Sequence, residues 1–173
     1  METFFTADLH FGHHMMSKLR GFETLEEHDE FVVGQWNATI GRRDEVWFLG
    51  DLSFAPAEET ERLFNSLNGR KHLVRGNHDP NRVVNLQWDT VHDMVRRRFD
   101  GVSYFMCHYP MLTWPNAHHG TRHLHGHSHN NLRNQSTTTR LDVGFDCNSL
   151  TPFSLDEVGR RFENLTYLKI DHH

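Results

Sequence analysis

Short apolar runs that end in clustered Asp, Asn and His residues are the feature that most restricts the fold of this chain. These runs span Glu2–Ala7, Glu45–Leu49 and Lys71–Val74, and they are followed by Asp8, by Gly50-Asp51 and by residues 75–79. An apolar run without alternation is typical of a strand that is buried on both faces. Open α/β sheets bind their ligands beyond the carboxyl ends of such strands. The chain is therefore expected to gather these polar groups at one sheet edge.

Helices are predicted between and after these strands. Thr24–Ile40 is predicted as a helix, because Thr24 and Glu27 have the spacing of a capping box. Ala57–Leu67 is predicted as a second helix that ends at an Asn-Gly pair. A last helix is expected to begin at Ser154, with Glu157 completing another capping box.

The second half of the chain is predicted to be mostly β. Asp100-Gly101 is a strong hairpin signal between residues 91–99 and 102–108. Further strands are predicted at Thr121–His125, Thr138–Val143 and Leu165–Ile170. This order predicts a layered α/β domain, with two mixed β-sheets packed together and flanked by helices. We expect one domain over residues 1–171, and we set His172 and His173 aside as a purification-tag remnant.

Composition narrows the classes of function. The 173 residues contain no apolar run long enough to span a membrane, and the N-terminus lacks a secretory signal, so a cytoplasmic protein is expected. Cys107 and Cys147 match no zinc-binding spacing and are expected to be reduced. A net charge of −5 argues against extended nucleic-acid binding. The oligomeric state is left open.

Five short segments carry the chemistry, and all offer oxygen or imidazole donors. They are Asp8-Leu9-His10, Gly50-Asp51, Gly76-Asn77-His78-Asp79, His108 and Gly126-His127-Ser128-His129. Such donors suit divalent ions such as Mn, Fe, Zn or Ni. Two ions about 3.5–4 Å apart can clamp a phosphoryl group and turn a bridging water into a hydroxide nucleophile. Asp51 stands alone after its strand and is the candidate for the bridging carboxylate.

Each segment alone also has an ordinary structural explanation. Asp-x-His and Gly-Asp occur in turns and caps, and Asn-His-Asp after a glycine can begin a helix. A single histidine beside a strand end is more often a hydrogen-bonded polar residue than a ligand. It is the occurrence of all five segments at predicted strand ends that favours a metal centre.

The order of these segments resembles that of the calcineurin-like metallophosphoesterase superfamily, over residues 6–158. Its small, uncapped bacterial and phage-type subgroup is the most similar, and the likeness is carried by residues 8–13, 67–72, 108–111, 123–127 and 143–148. The resemblance implies a metallophosphoesterase fold, a dinuclear metal centre and hydrolysis of a phosphate ester. Every core ligand of the family pattern is present.

The resemblance also implies a role for each residue. Asp8, His10, Asp51 and His129 would hold one metal ion, and Asp51, Asn77, His108 and His127 would hold the other. His78 would assist the leaving-group oxygen, and Asp79 would orient His78. Manganese is the expected metal in both positions.

Three further residues are candidates for substrate contact. His13 follows the first segment by three residues, either near the phosphate or at the rim of the site. Tyr109 and Trp114 follow His108, where their rings either stack on a nucleobase or pack the loop.

These observations favour a phosphodiesterase that acts on a small phosphate ester such as a nucleotide or cyclic nucleotide. A phosphomonoesterase would use the same metal ions and is the main alternative. A nuclease is disfavoured by the acidic net charge, and a non-catalytic scaffold is disfavoured because His78 and all the ligands are retained.

Overall fold

The computed structural model describes residues 1–132, 139–163 and 165, and it is an α/β structure within these ranges. The helices are α1 (His14–Leu19), α2 (Leu25–Thr39), α3 (Ala57–Ser66), α4 (Asn81–Val84) and α5 (Leu155–Phe162). The strands are β1 (Thr3–Thr6), β2 (Glu45–Phe48), β3 (Arg70–Val74), β4 (Thr90–His92), β5 (Met94–Phe99), β6 (Val102–Cys107), β7 (Arg122–His125), β8 (Arg140–Asp142) and β9 (Phe153–Ser154). The strand predicted over Leu165–Ile170 lies outside the described residues, apart from Leu165.

The strands form two mixed sheets, as predicted. The first sheet has the order β4-β3-β2-β1-β9, in which only the pairing of β9 is antiparallel. The second has the order β5-β6-β7-β8, in which β5 is antiparallel to β6 and the other pairs are parallel. Because β1–β3 and β6–β8 are parallel within their sheets, their carboxyl ends come together at sheet edges.

The unbroken apolar runs are explained by burial on both faces of the first sheet. In β1, Phe4 faces the core shared with α2 and α3, whereas Phe5 faces the core shared with the second sheet. In β2, Phe48 faces the core shared with the helices, and Trp47 faces the core shared with the second sheet. The layers are therefore helices, first sheet and second sheet, with α5 packed against the core between the two sheets through residues such as Val158.

The two predicted capping boxes are confirmed. The Thr24 side chain accepts a hydrogen bond from the backbone N–H of Glu27, and the Glu27 carboxylate accepts one from the backbone N–H of Thr24. Ser154 and Glu157 make the same reciprocal pair before α5. In the described part of the chain, none of the helices combines the length and the apolar character that crossing a bilayer requires.

The predicted strand over residues 91–99 is wrong as a single element. β4 pairs with β3 in the first sheet, and β5 pairs with β6 in the second, so the chain changes sheet at Asp93. A continuous polar and apolar alternation does not reveal such a transfer, because both halves remain extended. The predicted turn is nevertheless correct. Asp100 and Gly101 have φ angles of 46° and 83°, the two left-handed residues of a tight hairpin.

Candidate metal centre

The five polar segments converge at the carboxyl ends of strands from both sheets. Asp8 follows β1, and Asp51 follows β2. Asn77 follows β3, His108 follows β6, and the segment with His127 follows β7. Residues from opposite ends of the chain therefore become neighbours only when the two sheets pack together. The backbone N–H of His127, for example, donates a 2.9 Å hydrogen bond to Asp8 Oδ2.

The first cluster consists of Asp8, His10 and His129, whose ligand atoms all lie within 4.8 Å of one another. The Nε2 atoms of the two histidines are 3.2 Å apart, and their rings are stacked. Asp8 Oδ1 is 3.8 Å from His10 Nε2. A carboxylate and two imidazoles thus converge on one point, which is the geometry of a cation site.

The second cluster consists of Asp8, Asp51 and His108, again with ligand atoms within 4.8 Å. His108 Nε2 is 3.5 Å from Asp51 Oδ2 and 3.0 Å from Asn77 Oδ1. The His127 ring lies beside that of His108, with 5.2 Å between their centroids. Asp8 belongs to both clusters and Asp51 belongs to the second, and the bridging role that the sequence suggested for Asp51 stays a prediction.

The backbone at the predicted ligands is strained. Five of them adopt the left-handed region, which costs a side-chain-bearing residue about 1–3 kcal/mol and persists only where the surroundings impose it. They are Asp8 (φ 60°), His10 (54°), Asp51 (63°), His127 (69°) and His129 (45°). Such strain concentrates at functional sites. It supports a functional role for the clusters independently of the side-chain distances.

Two glycines of the sequence motifs are needed for close approach. A Cβ atom on Gly76 would lie 2.7 Å from the backbone nitrogen of Asp51. A Cβ atom on Gly126 would lie 2.7 Å from Asp8 Oδ2. Any side chain at these positions would therefore push a predicted ligand out of place.

Two of the predicted ligand histidines are oriented by contacts of Nδ1 with an oxygen atom. His108 Nδ1 lies 2.6 Å from the carbonyl oxygen of Leu49, and His129 Nδ1 lies 2.8 Å from Asp146 Oδ2. Because an oxygen atom holds each Nδ1 in place, each Nε2 is directed into its cluster. Metal-binding histidines characteristically make this second hydrogen bond.

The electrostatics of the first cluster fit a cation. Burial raises the pKa of Asp8 to about 7, and burial lowers the pKa of His10 to about 3. Among the described residues, the buried Asp8 Oδ1 has no hydrogen-bond partner. A buried carboxylate oxygen without a partner is costly, and a bound cation removes that cost. The residues present therefore fit the divalent ions that their chemistry implies.

Asp51 and His108 favour each other's charged forms at the second cluster, where His108 Nε2 lies 3.5 Å from Asp51 Oδ2. Burial opposes ionisation of both groups, but their contact with each other lowers the pKa of Asp51 and raises that of His108. The backbone N–H of His78 also donates a 2.8 Å hydrogen bond to Asp51 Oδ1. Asp51 is thus held as a carboxylate, the form that binds a metal ion.

His78 and Asp79 lie at the site in different ways. The His78 side chain is exposed, and its ring centroid is 6.2 Å from that of His10. Asp79 is buried, and its carboxylate accepts hydrogen bonds from the backbone N–H groups of Asp51, Leu52 and Gly76 at 2.8–3.0 Å. None of the hydrogen bonds of the described residues joins Asp79 to the His78 ring, so the expectation that Asp79 orients His78 stays a prediction. Asp79 joins the loops that follow β2 and β3.

His13 lies at the rim of the first cluster. Its Nδ1 accepts a 3.3 Å hydrogen bond from the backbone N–H of Met16, so the residue caps α1. The neutral ring then carries its proton on Nε2. Its centroid is 5.6 Å from that of His10 and 4.3 Å from that of Phe54.

The two aromatic candidates are placed differently. Tyr109 is 46% exposed, and its ring centroid is 4.9 Å from that of His127. Trp114 is only 6% exposed, and its Nε1 donates a 2.7 Å hydrogen bond to the carbonyl oxygen of Thr121. Trp114 is therefore part of a small core with Phe105 and is not available to a substrate.

Three residues at the site were not given a role from the sequence. Phe54 is 37% exposed, and its ring contacts His13 and His78. Its position three residues after Asp51 was the only indication that it would lie near the site. Arg20 and Asp146 are 126 residues apart in sequence, and no local pattern indicates that they pair beside His129.

Comparisons with known proteins identify relatives. No protein-family model matches the chain. The Gene 66 protein of Mycobacterium phage D29 is 30% identical over 186 aligned residues, covering 89% of this chain and 92% of that protein. The Gene 66 protein of Mycobacterium phage L5 is 37% identical over 81 residues, and this match spans 39% of its length. The uncharacterized protein MJ1445 of Methanocaldococcus jannaschii is 26% identical and covers 91% of the chain.

Solved structures confirm the fold. The protein of unknown function AQ665 from Aquifex aeolicus superposes with a TM-score of 0.74 and 22% identity, over 92% of this chain and 98% of that one. An archaeal phosphodiesterase aligns over 73% of this chain with a TM-score of 0.43 and 15% identity, a likeness too low to bear on function.

Proposed function

We propose that this chain, which belongs to the family of the Gene 66 protein of Mycobacterium phage D29, is a dinuclear-metal-dependent phosphodiesterase that acts on small nucleotides, cyclic nucleotides included. The observation that carries the proposal is the buried Asp8 carboxylate, which is common to both clusters and has an oxygen without a partner among the described residues. Sharing Asp8 brings the two sets of donors close enough together for a dinuclear centre, in which Asp51 would bridge the two ions.

We assign the donors as the superfamily resemblance implies. Asp8, His10, Asp51 and His129 would hold one ion, and Asp51, Asn77, His108 and His127 would hold the other. Mixed carboxylate, amide and imidazole donors suit Mn²⁺, with Fe, Zn and Ni as alternatives. When bound, the two ions would acidify the attacking water and neutralise charge on the phosphoryl group.

His78 is proposed to act on the leaving group. Its backbone is anchored by the hydrogen bond to Asp51 Oδ1, and its exposed ring remains available to the substrate. An imidazole in this position would donate a proton to the departing oxygen. The Nε2–H of His13 lies on the same side of the site and would hydrogen-bond a phosphoryl oxygen.

Two exposed aromatic rings favour a diester over a monoester. Phe54 contacts the rings of His10 and His78, whereas Tyr109 contacts the rings of His108 and His127. A phosphodiester carries two organic substituents, and one ring beside each cluster offers a surface for each. Aromatic rings stack on nucleobases without selecting among them. The net charge of −5 disfavours long polyanions, which leaves small nucleotides as the substrate class.

The first test is hydrolysis of bis(p-nitrophenyl) phosphate beside p-nitrophenyl phosphate. The protein is stripped of metal with a chelator and then supplied with Mn²⁺. We expect Mn²⁺-dependent cleavage, faster for the diester. Asp51→Asn should abolish it, because the second cluster loses a charge. Asp93→Asn, which changes an exposed aspartate, is the matched control and should leave the rate unchanged.

A faster monoester reaction would replace the proposal with a phosphomonoesterase, since the same donors serve both reactions. Absence of turnover with Mn²⁺, Fe²⁺, Zn²⁺ and Ni²⁺, for both model esters and for cyclic nucleotides, would contradict the proposal. A diester reaction that survives both metal removal and Asp51→Asn would contradict the assignment of the metal centre.

A further inference from the structure

Arg20 is a buried arginine beside the first cluster, and all five of its N–H donors are used. Its side chain is only 3% exposed. Nε and Nη2 donate to the two carboxylate oxygens of Asp146 at 2.8 and 2.9 Å. Nη2 also donates to the carbonyl oxygen of Asp8, and Nη1 donates to that of Leu9, both at 2.7 Å. The fifth donor, on Nη1, points to His28 Nε2 at 2.9 Å.

These partners connect Arg20 both to His129 and to the segment that carries Asp8 and His10. Asp146 accepts the Nδ1 proton of His129, so Arg20 and His129 share one carboxylate. The carbonyl oxygens of Asp8 and Leu9 belong to the strained segment that carries the other two donors of the cluster. One guanidinium therefore fixes the ring of His129 and the backbone that positions Asp8 and His10.

The same network also reaches the far end of the strained segment. His28 Nδ1 lies 2.7 Å from Asp29 Oδ1. The carboxylate oxygens of Asp29 accept the backbone N–H of Gly12 at 3.2 and 3.0 Å. Residues 8–12 are thus held at one end by Arg20 and at the other by Asp29, with His28 between them. A buried charged network is stable only when its hydrogen bonds are satisfied in this way.

We propose that Arg20 and Asp146 are positioning residues that set the affinity of the first cluster for its metal ion, with a much smaller effect on the second cluster, which shares only Asp8 with the first. This inference rests on the proposed metal centre, but not on the choice of substrate or on the reaction. The second cluster has its own support, since His108 donates to Leu49 and Asp51 accepts from His78.

The test is Mn²⁺ binding to the folded protein, with free Mn²⁺ measured by its EPR signal. Two parent variants allow Mn²⁺ binding to be measured at one cluster at a time. His108→Ala retains the donors of the first cluster, and His10→Ala retains those of the second. Asp146→Asn and Arg20→Lys are introduced into each background. Lysine keeps the charge of Arg20 but cannot reproduce its planar, five-donor fork.

In the His108→Ala background, we expect each substitution to lower the affinity of the first cluster for Mn²⁺ about 10- to 100-fold. This is the usual effect of removing a group that orients a metal ligand. In the His10→Ala background, Mn²⁺ affinity should change much less, because Asp8 is the one donor of the second cluster whose backbone Arg20 holds. The controls are Arg62→Lys and Glu59→Gln, which alter a surface ion pair whose arginine side chain is 66% exposed. Neither control should change Mn²⁺ binding in either background.

Two results would overturn the inference. One is unchanged Mn²⁺ affinity in the His108→Ala background. The other is an equal loss of affinity in both backgrounds, which would make Arg20 and Asp146 general structural residues. Asp146→Asn nearly preserves shape, so it keeps the inference testable if Arg20→Lys does not fold, as judged by thermal unfolding without metal. Normal Mn²⁺ binding without ester hydrolysis would contradict only the proposed function.

Discussion

At the level of single residues, the candidate site is marked by predicted ligands whose backbone conformations are strained. Asp8, His10 and Asp51 all adopt left-handed backbone angles, which are uncommon for residues other than glycine. Backbone hydrogen bonds hold them there, from Asp8 N–H to the carbonyl oxygen of Gly50 and from His10 N–H to that of Asp51. Because the strain serves no evident packing purpose, we attribute it to the placement of ligands.

His78 and Asn77 should separate catalysis from metal binding. His78→Ala is expected to retain both Mn²⁺ ions but to lose about 10²- to 10⁴-fold in turnover, most for esters with poor leaving groups. Asn77→Ala should instead weaken the second cluster, because Asn77 Oδ1 contacts His108 Nε2. Metal analysis after dialysis and steady-state kinetics measure the two effects. An equal loss of metal from both variants would show that His78 is wrongly assigned.

Phe54 should affect substrate preference more than metal content. Phe54→Ala removes the exposed ring beside His78, so KM should rise several-fold for diesters with aromatic groups while Mn²⁺ binding is unchanged. Leu112→Ala is the matched control, since it removes another exposed apolar side chain, 64% exposed. Kinetics with bis(p-nitrophenyl) phosphate and with a dialkyl phosphate make the comparison. An identical change for both esters would argue against stacking on Phe54.

At the level of strands and loops, the site depends on connections between neighbouring strand ends. Asp79 joins the loop after β2 to the loop after β3 through three backbone N–H groups. Although burial raises the pKa of Asp79, these hydrogen bonds oppose the shift. The carboxylate therefore joins the two loops that carry the predicted ligands Asp51 and Asn77.

Asp79→Ala should accordingly destabilise the whole fold. It leaves three buried N–H groups without an acceptor, each costing about 1–3 kcal/mol, so the free energy of unfolding should fall by about 3 kcal/mol or more. Asp44→Ala is the control, because Asp44 also accepts two backbone N–H groups, from Glu2 and Gly41, but in hydrogen bonds that are exposed to solvent. Urea denaturation without metal measures the free energy of unfolding of both variants. Wild-type stability with reduced turnover would instead support a role for Asp79 in orienting His78.

For the molecule as a whole, the site and the packing of the two sheets depend on each other. The first cluster combines donors that follow β1 and β7, which lie in different sheets. The second combines donors that follow β1, β2 and β6. Any ligand that holds these donors together therefore stabilises the packing of one sheet on the other.

Mn²⁺ should raise the stability of the protein against heat. For each ion present at 100 times its Kd, mass action predicts about 2.7 kcal/mol of stabilisation. Differential scanning calorimetry with Mn²⁺, and then with excess EDTA, should show a rise in Tm that the chelator reverses. A variant carrying both His10→Ala and His108→Ala should show little rise. An equal rise in that variant would place the Mn²⁺ elsewhere.

Acid should destabilise the fold in part through His123. Burial lowers the pKa of His123 to about 3, against about 6.5 in an unfolded chain. Between these values the unfolded chain binds a proton that the folded protein does not, so stability falls as pH decreases from about 6.5 towards about 3. At pH 5 the loss from this group is about 2 kcal/mol relative to neutral pH.

The variant His123→Asn isolates this contribution. Whatever its stability at pH 7.5, its further loss between pH 7.5 and pH 5 should be smaller than that of the wild type by about 2 kcal/mol. His14→Asn, which changes an exposed histidine, should lose as much as the wild type. Urea denaturation at the two pH values measures the free energy of unfolding of each protein. Parallel losses in all three proteins would contradict the assignment.

Much of the architecture was predictable because it depends on local patterns. Unbroken apolar runs indicated strands buried on both faces, and Thr24 with Glu27 and Ser154 with Glu157 marked helix starts to the residue. The change of sheet at Asp93 was not predictable, because an extended chain has the same side-chain alternation in either sheet. The short helices α1 and α4 were missed because they are too short to show a helical period.

The linear order of donor residues was sufficient to predict a cation site at strand ends, since donor chemistry depends on residue type. Only the folded chain showed that Asp8 belongs to both clusters, that Asp79 joins two loops and that Trp114 is buried. It also brought Arg20 to Asp146, across 126 residues of sequence. These contacts join residues that are far apart in sequence and depend on the tertiary packing of the chain. They therefore produce no pattern among neighbouring residues of the sequence.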